Sequence, residues 1–177
     1  MKLHPLRNLT LACALLAPCL AFAEPSFIYL VRHAEKKAVG QDPALTPQGQ
    51  ARAQNIATIL QKAGIGSIFS SSTTRTRQTA AALAKRNGLT VQEYDPGMPQ
   101  ALVDTVKALD GAVLIVGHSD TLPELVRRLG GEPGAAIADN EFDRLYQLIR
   151  GANGSMTTVL LTSPPAFKAA QPPVHAR

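Results

Sequence analysis

Apolar positions along the chain fall into two alternating patterns. Phe27-Ile28-Tyr29-Leu30-Val31 is a short run of β-formers between Pro25 and the polar Arg32-His33, and Ala112-Val113-Leu114-Ile115-Val116 is a second, more continuous one. Such runs predict strands buried on both faces. Ser67–Ser70 and Thr90–Tyr94 predict two further short strands. Between these runs the apolar period becomes helical. Thr46 suits an N-cap and Pro47 the first helical position, while Ala53, Ile56, Leu60 and Ala63 recur at helical spacing up to a C-cap at Gly64. A second helix is predicted from Thr74 to Asn87, with Ala80, Leu83 and Ala84 inward and Gly88 after its end. The stripe Leu102, Val103, Val106, Leu109 predicts a third helix, and Leu122 to Leu129 a fourth.

Strands alternating with helices of this length predict an α/β fold, a three-layer α/β/α sandwich with a mostly parallel sheet of about six strands. The end of the chain departs from that alternation. Arg144–Arg150 and Met156–Thr162 are both strand-like, and the Asn153-Gly154 between them marks a hairpin, so the last pair is expected to be antiparallel. Beyond Ser163 the chain turns to Pro164-Pro165 and Pro172-Pro173, the composition of an unpacked tail over 164–177.

Composition changes the picture at the other end. The 177 residues carry 18 Lys and Arg against 13 Asp and Glu, a net charge of +5 that on its face points to nucleic acid. Residues 1–8, however, carry two positive charges and no acid, and an uncharged run, Leu9 to Leu20, follows and ends in Ala21-Phe22-Ala23. Charged start, short apolar middle and A-x-A end are the layout of a secretory signal peptide, residues 1–23. Cleavage after Ala23 leaves 154 residues, with 16 basic against 13 acidic side chains and a charge of +3. It also removes Cys13 and Cys19, the only cysteines, which excludes disulfides, Cys-bound zinc and a thiol nucleophile from the domain at 24–163, unless a lipid anchors one of them. A periplasmic or secreted location follows, without stable membrane insertion. With a charge of +3 and few aromatics, a nucleic-acid partner is not expected.

Ligands of open α/β sheets bind beyond the carboxyl ends of the strands. There Val31 is followed by Arg32-His33-Ala34-Glu35, Phe69 by Ser70 to Arg75, and Val116 by Gly117-His118-Ser119-Asp120. Two of the three histidines after residue 23 therefore sit at strand ends, with two arginines at matching places. Each His alone is more often a hydrogen-bonded structural residue; the four groups together read as a site. Two His and two Arg, without Cys or a carboxylate cluster, fit phosphoryl transfer through a covalent histidine. A neutral imidazole offers a lone pair at pH 7, and arginine forks match phosphate oxygens. Arg75 also lies at a helix start, where backbone N–H groups favour an anion. No metal or cofactor is required, and the arginines would repel a cation held by the two histidines.

These motifs resemble the histidine phosphatase superfamily, which also contains the cofactor-dependent phosphoglycerate mutases. Leu30-Val31-Arg32-His33-Ala34-Glu35 is similar to its Arg-His-Gly/Ala signature, and Leu45-Thr46-Pro47-Gln48-Gly49-Gln50-Ala51 to its Leu-Thr-x-x-Gly helix start. Ser71 to Ala80 is similar to the segment with its second arginine, and Gly117-His118-Ser119 to its second-histidine motif. The resemblance covers nearly all of residues 24–163 and points to branch 1, either a compact phosphohistidine-phosphatase-like or an envelope phosphatase member. It implies that His33 is the nucleophile and that Arg32, Arg75 and His118, the last as a further donor, make the phosphate pocket. Arg77 is the nearby decoy. Many members carry a glutamate acid after the third strand. Glu93, in Glu93-Tyr94-Asp95-Pro96-Gly97, has that minimal spacing, with Asp95 and Asp120 behind it as candidates. Glu35 reads as a hydrogen-bonding support and not a proton donor.

The expected function is an exported phosphomonoesterase, or phosphoramidase, acting through His33 on a phosphorylated small molecule or an envelope glycolipid. A phosphohistidine phosphatase with a protein substrate and a non-catalytic binder of phosphorylated ligands are the alternatives. The segments 96–100 and 130–138 are too short for a specificity cap, so an open site is expected, which disfavours a mutase.

Overall fold

Every residue of β1 (Phe27–Arg32) after Phe27 is buried, on both faces of the strand, so the sheet it belongs to must be covered on both sides. The computed structural model describes residues 24–164 and shows both covers. After β1 come α1 (Pro47–Leu60), β2 (Ile65–Ser71), α2 (Thr74–Asn87), β3 (Val91–Tyr94), α3 (Pro99–Lys107), β4 (Ala112–Gly117), α4 (Leu122–Arg128), β5 (Arg144–Arg150) and β6 (Met156–Thr162). The six strands lie in the order β3-β2-β4-β1-β5-β6. β1, β2, β3 and β4 pair in parallel, while β5 runs antiparallel to β1, and β6 to β5.

Successive side chains of a strand point to opposite faces, and here they feed two separate cores. Ile28, Leu30, Val113 and Ile115 pack with Leu102, Val106, Leu122 and Leu125 of α3 and α4. Tyr29, Val31, Leu114 and Val116 pack with Ile56, Leu60, Ala80 and Leu83 of α1 and α2. This is the α/β/α sandwich expected from the sequence, antiparallel pair included.

The differences are local. α1 ends at Leu60, a turn before Gly64, and Gly64 (φ 68°) instead swings the chain into β2. β2 starts two residues earlier than its apolar run indicates, because its pairing with β4 slips between Ile65 and Ser67 and admits Gly66 as an extra residue. In the hairpin only Gly154 has positive φ: Gly154 N–H bonds to Gly151 O and Gly151 N–H to Ser155 O, so a tight turn closes through one left-handed glycine and not through an Asn-Gly pair. Residues 1–23 and 165–177, the expected signal and nearly all of the tail, lie outside the described residues. Among the described residues no helix is long and apolar enough to cross a membrane.

The loop after β1 is held on three sides. Thr46 caps α1 by accepting from Gly49 N–H at 3.0 Å, and Thr46 N–H donates to Glu35 O at 2.9 Å. Leu45 N–H reaches Gln78 Oε1 at 2.8 Å, and Ala34 N–H reaches Thr79 Oγ1 at 3.0 Å, both on α2. Gly49 makes this approach possible, since a Cβ there would collide with the backbone oxygen of Glu35. Gly49→Ala is therefore expected to destabilise the fold by about 1–3 kcal/mol, the usual range for overpacking. A lowered urea midpoint is the readout; an unchanged midpoint would mean that α1 can retreat from the loop.

Candidate active site

The parallel register of β1 and β4 pairs Arg32 with Gly117, so the next residue of each strand, His33 and His118, emerges at the same edge. His33 N–H donates to Gly117 O at 2.9 Å, and the two imidazole rings meet edge-on with centroids 5.5 Å apart. Gly117 is required at this point: a Cβ would stand 2.9 Å from Tyr94 Oη and 3.0 Å from Leu122 Cδ2. β2, on the far side of β4, brings Ser71 and then Arg75 at the start of α2.

Hydrogen bonds assign both rings. Nδ1–H of His33 donates to its neighbour's carbonyl, Ala34 O, at 2.8 Å, which leaves the lone pair on Nε2. Burial pushes the His33 pKa down to about 4 despite that bond, and the charges of Arg75 and Arg32 act in the same direction. His33 is thus a neutral base with a free nitrogen. His118 Nδ1 faces Arg75 Nη2 at 3.4 Å, and because guanidinium only donates, this nitrogen accepts. Nε2–H of His118 then donates to Ser71 Oγ at 2.8 Å, and Ser71 Oγ lies 3.0 Å from Thr76 Oγ1 within buried surroundings. Burial, followed by the charge of Arg75, lowers the His118 pKa also. In this arrangement His118 Nδ1 is taken up by Arg75; protonated there, the same ring would be the further donor expected from the sequence.

The two arginines differ. Arg32, only 6% exposed, spends Nη1 on three carbonyls, Ala138 O at 2.8 Å, Asp139 O at 3.1 Å and Glu141 O at 2.9 Å, and its guanidinium lies 4.3 Å from the Phe142 ring centroid. It ties the segment between α4 and β5 to the site. Arg75 lines the cavity and has Asp42 Oδ1 3.8 Å from Nη1. The buried Nε–H of each arginine has no acceptor among the described residues, a donor demand that an oxyanion can meet. The α2 N-terminus, by contrast, already holds an anion. The Asp42 carboxylate accepts Thr74 N–H at 2.9 Å and Thr74 Oγ1–H at 2.6 Å, so the helix end is occupied and Arg75 is the positive group that faces the cavity.

The site is a cavity of about 530 Å³ whose walls include His33, Arg75 and His118 from the predicted set. Glu93 is not brought to it: its half-exposed carboxylate pairs with Arg77 at 2.9 Å and lines a different depression beside β3. Arg77, the decoy, is so occupied. Asp95 accepts from Gly97 N–H in a local turn at 2.8 Å. The carboxylates in the cavity wall are Asp120 and Asp139. Asp139 and Phe142 come from the segment after α4, just past the residues 130–138 read as too short for a specificity cap; apart from a loop of small and acidic residues, nothing in the sequence marks them. Glu35 takes the supporting role expected of it. Burial alone would raise its pKa, but hydrogen bonds from Arg52 Nη2 and Nε at 2.6 and 3.0 Å, with one from Gln48, outweigh this and hold it below the usual carboxyl range. Arg52, itself buried, carries the contact on to Ser163 O at 2.6 Å.

The two-sided α/β sandwich, with histidines and arginines gathered at the carboxyl ends of its central strands, has the fold of solved histidine phosphatases. The family model described as "Histidine phosphatase superfamily (branch 1)" matches residues 28–99, which include Arg32, His33 and Arg75. Solved structures share the fold over most of the domain. One is a protein from Agrobacterium tumefaciens assigned as a phosphohistidine phosphatase SixA, 25% identical, covering 71% of this chain and 92% of that one, TM-score 0.58. Another is the protein histidine phosphatase SixA complexed with tungstate, 19% identical, covering 78% and 97%, TM-score 0.62. A third is a mycobacterial glucosyl-3-phosphoglycerate phosphatase, 14% identical, covering 77% and 97%, TM-score 0.56. No curated protein matches the sequence significantly.

The low pKa of His33 has a measurable consequence for stability. Between about pH 6.5 and 4 the unfolded chain takes up a proton on this residue that the native state refuses, so stability falls as pH falls through that window and levels off below it. The shift from 6.5 to about 4 is worth ~3 kcal/mol. Unfolding titrations of the wild type and His33→Gln are expected to diverge across this window, the variant having the flatter profile; parallel profiles would show that His33 titrates normally.

Proposed function

We propose that the chain hydrolyses phosphomonoesters, or phosphoramidates, through a phosphohistidine on His33. Family and fold support a phosphatase. The observation that carries the finer reading is the state of His33, a neutral imidazole with Nδ1 bonded to Ala34 O and Nε2 free beside Arg75. Nε2 attacks phosphorus as the bond from phosphorus to the leaving oxygen or nitrogen breaks, and the leaving atom departs with the electron pair and takes up a proton. Water then attacks the phosphohistidine, the P–N bond breaks and phosphate leaves, restoring neutral His33. Arg75 stabilises the charge on the transferring oxygens, and Arg32 fixes the wall from which Asp139 comes. In this reading a proton for the leaving atom comes from water or from a carboxyl of the cavity wall, Asp120 or Asp139, and the pairing of Glu93 with Arg77 argues against Glu93. Relatives by fold include a protein histidine phosphatase and a sugar-phosphoglycerate phosphatase, so P–N and P–O substrates are both compatible with this scaffold.

Two measurements test the mechanism. Phosphate is expected to be trapped on His33 when turnover is quenched without acid, and His33→Ala to lose activity by at least about a thousandfold, as for removal of other covalent nucleophiles; normal turnover in that variant would overturn it. Glu93→Gln is expected to keep kcat within about twofold, because a half-exposed ion pair outside the cavity contributes little. A loss of a hundredfold or more, the size of a general-acid effect, would reinstate Glu93.

The reading includes export to the bacterial envelope, on the strength of the charged start, apolar middle and Ala21-Phe22-Ala23 end of the first 23 residues. There the substrate would be a small phosphomonoester or a phosphorylated glycolipid. Terminal sequencing of the protein from the periplasm or medium is expected to begin at Glu24, whereas cytoplasmic protein retaining Met1 would refute export.

A further inference from the structure

Two carboxylates share the cavity wall with the phosphate-binding groups, and neither has a hydrogen-bonding or ion-pair partner among the described residues: Asp120, just after His118, and Asp139, on the segment held by Arg32. Four other acids around the site are engaged, Glu35 with Arg52, Asp42 with Thr74, Glu93 with Arg77 and Glu141 with Arg144. Asp120 is near enough to influence both His118 and Arg32, and Asp139 to influence Arg32. Among the described residues Arg75 is the one cationic side chain in the wall, and a bound phosphoryl group would claim it together with His33 and His118. What remains to face the rest of a substrate is Pro96, Ser119, Thr121 and the two free carboxylates, an acidic rim around a basic floor.

Resting on the reading of this cavity as a phosphoryl site, we infer that its outer half selects by charge, favouring phosphorylated compounds whose leaving portion is cationic and excluding those that carry a second phosphate or a carboxylate. A free carboxylate attracts a positive group a few ångströms from the reacting phosphorus and repels a negative one. At surface dielectric, two such charges give a preference on the order of tenfold. The same rim disfavours phosphorylated hydroxy acids.

The test uses three aryl phosphates of one shape: para-aminomethylphenyl, para-tolyl and para-carboxymethylphenyl phosphate. Their methylene keeps the phenol leaving groups similar while the remote charge goes from positive to neutral to negative. At low salt, kcat/KM is expected to fall in that order, with at least about a tenfold span between cation and anion. The span should shrink with added salt and approach one in the Asp120→Asn/Asp139→Asn double variant, whatever that variant's absolute rate. Hydrolysis of all three at equal efficiency, or a span that survives the double substitution, would overturn the acidic rim while leaving the phosphatase intact. If none is hydrolysed, the phosphatase reading fails, and the rim is judged on equilibrium binding of the same compounds in competition with vanadate. The same charge order there sustains it, and equal affinities overturn it.

Discussion

The parallel pairing of β1 with β4 is the constraint on which the site depends. Their register ends with Arg32 opposite Gly117, and one further residue on each strand turns two distant histidines into neighbours. A slip of one residue would send the whole alternation of β1 to the wrong core, moving Leu30 and Tyr29 to each other's faces. The apolar partition between the two sides of the sheet therefore fixes more than stability. It sets the distance between the imidazoles, and through β2 it also sets where Ser71 meets His118.

On that framework the electrostatics run against the ordinary behaviour of histidine. Burial and two flanking cations keep the ring of His33 unprotonated, and the carbonyl of the next residue chooses its tautomer. His118 is oriented in the opposite sense, its Nε2 tied to a buried hydroxyl and its Nδ1 turned toward Arg75. The cations are then secured by backbone oxygens in one case and by a single distant carboxylate in the other. Arg32 serves mainly as a brace and Arg75 as the available charge, a division of labour between residues that the same motif logic treats alike.

Much of this was legible in the sequence because it is periodic. The strands and helices follow from runs and stripes whose burial the structure reproduces, and the strand ends single out Arg32, His33, Arg75 and His118. What stayed hidden depends on side chains that are not periodic. Glu93 has an acid's spacing, but its direction is set by a pairing with Arg77 that no pattern announces. Asp139 and Phe142 lie in an irregular segment whose course is dictated by the fingers of Arg32. Thr76, Gln78 and Thr79 stood in a recognised motif, yet only the fold shows that they support His118, Leu45 and Ala34.

The contact from Arg52 to Ser163 joins residues 111 positions apart and places the residue that follows β6 beneath the loop that carries His33. Arg52 is buried and needs that carbonyl, so its grip on Glu35 is complete only after β6 has been added to the sheet. A chain with β6 still unpaired can hold every residue of the cavity wall and still lack the last support beneath them. Maturation of the site is in this sense postponed until β6 is in place.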